Sequence, residues 1–398
     1  MNPLRALQDF GQSIWLDDFR RSLVTSGGLQ ALIAEDGLSG ITSNPSTFEK
    51  AIGRSTDYDD ALKAMAQERD LDADALYERL AVEDITMAAD MLRPVYDATR
   101  RRDGFISIEV SPYLAMDTAA TIAEARRLWH AIGRDNLMVK VPATAAGFPA
   151  IRQLTGEGIN VNITLLFSPT VYKAVAEAYL AGLEALVARG GDARWMASVA
   201  SFFVSRVDTA VDTLLEERLR QTNRPAERAA LQDLLGKAAI ANAKLAYQRY
   251  KEIFRGERWD RLRQAGARTQ RLLWASTGTK NARYSDVRYV EELVGPDTVN
   301  TIPPTTMDAF RHHGRPRASL EEGVAEARQV MAALDRLGVS LDDITDKLTA
   351  DGVRLFCDAD DKLLGAIACK RATALAGGLD REKRSARSVA RNRRQNAG

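Results

Sequence analysis

Two periodicities alternate along the chain. Short apolar runs of the β type are each followed by a longer stretch in which apolar residues recur at helical spacing, the pattern of βαβ units wound into a parallel sheet. Eight such runs occur: Ser13–Asp17, Gly40–Asn44, Phe105–Glu109, Leu137–Val141, Ile159–Phe167, Trp195–Val204, Arg271–Ser276 and Thr298–Ile302. Eight is the number that closes a parallel barrel, so the pattern predicts an α/β fold, a single (β/α)8 TIM barrel with additional helices. Between the fourth and fifth runs there is room for one crossover helix, and Ser168-Pro169 supplies an N-cap and a first-turn proline for the next one. Residues 46–102 and 207–269 are much longer, charged and alanine-rich. In the second, Leu231, Leu234, Leu235, Ala238 and Ala239 form one stripe over 231–250. These segments read as extra helices around one barrel, because neither an internal repeat nor a Pro- or Gly-rich linker separates them. The expected organisation is a barrel with its added helices over 1–365 and an extension over 366–398, poorly ordered from about 377.

Composition narrows the class without naming a chemistry. With 398 residues, 45% apolar and 27% charged, the chain has ample material for a core and is far from the signature of disorder. Apolar stretches are too short to span a bilayer and no secretory h-region opens the chain, so a cytoplasmic protein without membrane contact is expected. Cys357 and Cys369 are the only cysteines, and His130, His312 and His313 lack metal-ligand spacing, so no metal is expected. The net charge of +1 hides an asymmetry, since Asp380–Gly398 carries seven basic residues and two acidic ones. No aromatic residues are interleaved there for stacking on bases, so a solvated extension is expected and a nucleic-acid partner is not.

The chemistry lies in the polar residues that interrupt the strands. A parallel strand buried on both faces should be almost continuously Val, Ile and Leu, yet Asp17, Asn44, Glu109, Lys140, Asn162, Thr164 and Ser201 stand near the carboxyl ends of their runs. That end of a barrel is the catalytic face. Lys140, between Val139 and Val141, is either an ion-paired structural lysine or an activated amine. In the second case an apolar, desolvating pocket would disfavour the ammonium form and expose a lone pair able to form a Schiff base with a carbonyl. Asp17 and Glu109 are either caps and ion-pair partners or the acid and base groups such chemistry needs. Arg206, just after the sixth run, and Lys280, in a Gly278-Thr279-Lys280-Asn281 turn, are either solvated charges or a phosphate clamp on the strand-end loops.

Several stretches resemble the transaldolases: WLDD (15–18), GITSNPSTF (40–48), ISIEVSP (106–112), LMVKVPAT (137–144), GINVNITLLFSP (158–169) and SVASFFVSRVD (198–208). LLWASTGTKN (272–281) and GPDTVNTIPPTTMDAF (295–310) are similar to the longer bacterial branch, and the basic tail matches nothing in it. The resemblance implies a cofactor-free enzyme of the non-oxidative pentose phosphate pathway. It would move a dihydroxyacetone unit from sedoheptulose 7-phosphate to glyceraldehyde 3-phosphate, giving erythrose 4-phosphate and fructose 6-phosphate. Carried across by motif, Lys140 is the Schiff-base lysine and Asp17 the acid/base at the donor's C4 hydroxyl. Glu109 works with Thr164 and a water in imine formation. Asn44 and Asn162 hold substrate hydroxyls, Ser201 and Arg206 form the phosphate site, and Phe203 packs beside it. Lys280 stands where the family commonly has an arginine, which would cost the clamp bidentate geometry at one position. The resemblance also suggests a homodimer. Rival readings are a fructose 6-phosphate aldolase that releases free dihydroxyacetone, and a non-catalytic barrel that binds sugar phosphates. The long helical additions argue against the first, since they could cover the mouth and exclude water.

Overall fold

The computed structural model describes residues 2–65 and 71–395. The eight expected runs form eight parallel strands: β1 Gln12–Leu16, β2 Gly40–Thr42, β3 Phe105–Glu109, β4 Leu137–Pro142, β5 Val161–Leu166, β6 Ser198–Phe203, β7 Arg271–Ala275 and β8 Thr298–Ile302. They close in chain order into one barrel, β8 returning to β1. The two widest runs are trimmed at their starts. Trp195 sits in a short 3-10 turn, whose Arg194 N–H is tied to the Asp192 carboxylate. Almost every barrel residue is buried, because helices cover the outside of the sheet while side chains fill its interior. No helix among the described residues is long and apolar enough to cross a membrane.

The long connections are helical, as expected, but 231–250 is not one helix. Pro225–Leu234 and Ala238–Ile253 are separate, because Gly236 takes a left-handed φ of +70°. Two carboxylates from the preceding helix hold the break: Asp212 accepts from the Gly236 N–H at 2.8 Å and Asp208 from the Ala239 N–H at 2.7 Å. The apolar stripe runs on across a change of direction, which a count of spacings does not register.

At the amino-terminal floor of the barrel, Arg271 donates to Ser13 Oγ and to Asp103 Oδ1, and Trp15 Nε1 donates to the same Asp103 oxygen. At the other end, the last helix, Leu341–Gln395, crosses the loops that follow β2 and β3. Lys370 on this helix donates to Asp59 and to the Ser55 carbonyl, and Asp361 accepts from the Tyr113 hydroxyl. Its backbone stays helical past Gly377-Gly378, within the extension expected over 366–398 and beyond the point where poor order was expected to begin. The helix lies so close to β5 that a Cβ on Gly352 would come within 2.7 Å of the Leu165 side chain. Leu165 reaches it through a bulge: its φ is +57° and the β5–β6 register shifts between Ile163 and Leu166.

Candidate active site

Strand register brings the charged residues abreast. Glu109, at the carboxyl end of β3, pairs with Lys140 of β4, and Lys140 with Asn162, which stands near the start of β5 rather than at the carboxyl end expected from the sequence. Neighbouring strands lie about 4.8 Å apart, so the Glu109 and Lys140 side chains meet without any loop rearrangement. Lys140 Nζ donates to Glu109 Oε2 at 2.9 Å and to the Ser43 carbonyl at 3.0 Å, and the two side chains are 5% and 3% exposed. The apolar pocket expected around this amine is therefore absent. A carboxylate and a carbonyl face the nitrogen, because β3 and the β2 loop present polar groups there. The lysine is ion-paired at rest and still lines the mouth, so it has a proton acceptor beside it when a carbonyl arrives.

Burial pushes the Glu109 carboxyl above its usual range. Lys140 pulls it partly back by charge and hydrogen bond, and Asp17 adds to the rise. Asp17 is also raised, chiefly by burial, with Lys140 opposing and Asp18 reinforcing. Its Oδ1 accepts from Thr42 at 3.4 Å and from Asn44 Nδ2 at 3.5 Å, both long contacts that leave the carboxylate free to engage another hydroxyl. Asn44 is fixed by capping the short helix Pro45–Phe48, where its Oδ1 accepts from the Thr47 N–H.

A cavity of about 550 Å³ opens at the mouth of the barrel. Asp17, Asn44, Lys140, Thr164, Ser201, Phe203, Arg206 and Lys280 line it, so eight of the ten residues expected at the site converge there. Glu109 stands behind Lys140 and faces a second cavity. Asn162 lies a layer below the mouth, donating to Ser107 Oγ at 3.0 Å and accepting from Ser201 Oγ at 2.6 Å. Period-two alternation gave its direction correctly but not its depth. Thr164 Oγ1 is buried without a protein partner and points to the cavity as a spare hydrogen-bonding group.

The far wall is cationic. Arg206 lies 5.2 Å from the Phe203 ring centroid, and burial lowers its pKa while Asp17 opposes that shift. Neither Arg206 nor Lys280 has a hydrogen bond or salt bridge to a protein group among the described residues. Two cations so placed suit a phosphate, which supplies the missing acceptors. Several further lining residues were given no role in the sequence reading, among them Lys50, Ser276 and Phe356. Lys50, beyond the β2 motif, looks like an ordinary surface lysine; Ser276 extends β7 in a left-handed conformation with φ +55°; Phe356 arrives from the last helix. Ser276 lies inside the quoted LLWASTGTKN and Lys50 just after GITSNPSTF, whereas no such motif flanks Phe356.

Comparison with known proteins agrees with this geometry. A family model described as transaldolase/fructose-6-phosphate aldolase matches residues 14–367. The transaldolase of Trichodesmium erythraeum is 45% identical over 92% of this chain and 97% of its own. Transaldolase 1 of Streptomyces avermitilis is 49% identical, covering 92% and 94%, and the Thiobacillus denitrificans transaldolase is 47% identical, covering 92% and 100%. Matches of this extent run through every strand of the barrel, and so this chain belongs to the transaldolase/fructose-6-phosphate aldolase family.

Proposed function

We propose that this chain is a transaldolase that carries dihydroxyacetone from sedoheptulose 7-phosphate to glyceraldehyde 3-phosphate as a Schiff base on Lys140. The observation that carries the reading is the buried Lys140–Glu109 pair at a mouth whose opposite wall holds Arg206 and Lys280. The donor's phosphate anchors on those cations and Ser201, which sets its ketone against the lysine. Glu109 takes a proton from the ammonium and returns it to the departing carbonyl oxygen, with Thr164 holding the water so formed. Asp17 then removes the C4 hydroxyl proton, the C3–C4 bond breaks, and the electrons pass into the iminium to give an enamine. Erythrose 4-phosphate leaves. Glyceraldehyde 3-phosphate adds, Asp17 protonates the new hydroxyl, and hydrolysis of the imine releases fructose 6-phosphate. Asn44 binds substrate hydroxyls, and Asn162 acts on them through Ser201. A homodimer, taken from the family likeness, and a place in the cytoplasm, taken from the short apolar stretches and the absence of a secretory h-region, complete the reading.

The direct test is mass spectrometry after borohydride reduction with fructose 6-phosphate, which should show one dihydroxyacetone-sized adduct on Lys140. EDTA should leave activity unchanged. An adduct on another lysine, or inactivation by the chelator, overturns the assignment.

A second measurement addresses the cationic wall. Arg206→Ala should raise KM for phosphorylated donors at least ~10-fold, the loss of about 1.4 kcal/mol or more expected from one charge-assisted contact, while unphosphorylated dihydroxyacetone donors change little. Equal effects on both remove the phosphate role.

A further inference from the structure

A second cavity, of about 160 Å³, lies behind the catalytic pair. Glu109 lines it and Lys140 does not; at the mouth the reverse holds, and Asn44 alone borders both. Glu109 Oε2 is taken by Lys140, whereas Oε1 is buried without a protein partner. A carboxylate oxygen so placed needs a hydrogen bond, and the space beside it holds several waters.

The walls lead outward. Tyr77 and Glu78 from helix Ala73–Ala98, Glu124 and Arg127 from helix Thr118–Ile132, and Asp360 from the last helix face the cavity, and Asp74 and Arg127 form its solvent-exposed rim. Arg127 pairs with Glu78 and with Glu124, while Asp360 has no hydrogen bond or salt bridge to a protein group among the described residues. Burial and the neighbouring carboxylates push the Asp360 carboxyl up to about 6, so near neutral pH it is mostly a carboxylate that accepts hydrogen bonds from water. Its place on the helix that covers the mouth makes the rear cavity and the cover parts of one construction.

We propose that this cavity is the route by which the water of imine chemistry leaves and returns, with Asp360 as a positioning residue that keeps its outer half wet. The inference rests on the Schiff-base reading given above. When the ammonium of Lys140 condenses with the C2 ketone, one C–N bond forms and the C2–O bond breaks. The oxygen departs as water with two of the three ammonium protons, one of them carried by Glu109. The phosphorylated sugar occupies the mouth at that moment, so exit on the Glu109 side lets water escape past no substrate. Hydrolysis at the end of the cycle uses the same path inward.

The test follows the oxygen. Fructose 6-phosphate labelled with ¹⁸O at C2 is incubated with the enzyme, and the rate at which the recovered ketose loses label to solvent is compared with the rate of imine formation, read in a parallel reaction by borohydride trapping. Wild type should lose about one label per imine formed. Ala81→Leu, which fills the cavity wall, should return water to the imine internally and cut that ratio at least fivefold. Asp360→Leu keeps the branched skeleton of the side chain and replaces its two oxygens with methyl groups, which removes the polar anchor for water; it should cut the ratio at least threefold, and it carries the test if Ala81→Leu does not fold. An unchanged ratio in the folded variants, with the Lys140 adduct intact, overturns the route alone. No Lys140 adduct in the wild type overturns the Schiff-base reading and the route with it.

Discussion

Lys140→Met should leave a folded barrel with no measurable transfer and no borohydride adduct. The expected loss is on the order of 10⁴–10⁶-fold, the scale seen when a covalent nucleophile is removed. Methionine matches the length of the lysine stem, so the site does not collapse. Cutting a buried ion pair usually costs about 3–5 kcal/mol, because the remaining charge stays buried. Glu109 escapes much of that cost, since burial already holds its carboxyl above the usual range and it can take a proton. Circular dichroism and a denaturant midpoint check the fold; borohydride trapping and a coupled assay check the chemistry. Residual transfer above a few per cent would place the Schiff base on another amine.

The second large effect separates bond cleavage from imine formation. By microscopic reversibility the group that deprotonates the C4 hydroxyl also protonates the hydroxyl formed with the acceptor, so one carboxylate serves both directions. Asp17 lines the mouth at the end of β1 and is held only by long contacts from Thr42 and Asn44. Asp17→Ala should still trap a reducible adduct with fructose 6-phosphate while losing cleavage and transfer by at least ~10²-fold. Glu109→Ala should instead slow the appearance of the adduct. An Asp17→Ala enzyme that forms no adduct, or that transfers normally, contradicts this division of labour. Free dihydroxyacetone released by the wild type as fast as transfer product would make the enzyme an aldolase.

Strand positions and their polar ends were legible because both follow from local rules. A run such as Leu137–Val141 has few alternatives to a buried strand, and a lysine inside it is conspicuous. Alternation also says which residues share a face, hence the convergence of Asn44, Lys140 and Thr164 on the mouth. It does not say how deep a residue sits, which is why Asn162 proves to be a support for Ser201. Nor could it foresee the surroundings of Lys140, since the Ser43 carbonyl is a backbone group delivered by another strand's loop. Phe356 and Asp360 were out of reach for a different reason. They meet the site only because the chain returns to it over some two hundred residues, and within their helix nothing marks them as other than an apolar and an acidic position. The turn at Gly236 was hidden because an apolar stripe can continue across a break.

The contact between Gly352 and the left-handed Leu165 has a bearing on synthesis at the ribosome. Every strand of the barrel is made by Ile302, whereas the helix that docks on Leu165 begins at Leu341 and reaches the mouth at Phe356. Translation at about 5–20 residues per second leaves an interval of several seconds in which the barrel's strands exist without their cover. During it the bulged strand presents an apolar leucine to solvent, a sticky site in the nascent chain. A bulkier residue at 352 would leave that site permanently unsatisfied, so its first symptom should be aggregation during expression rather than a slower enzyme.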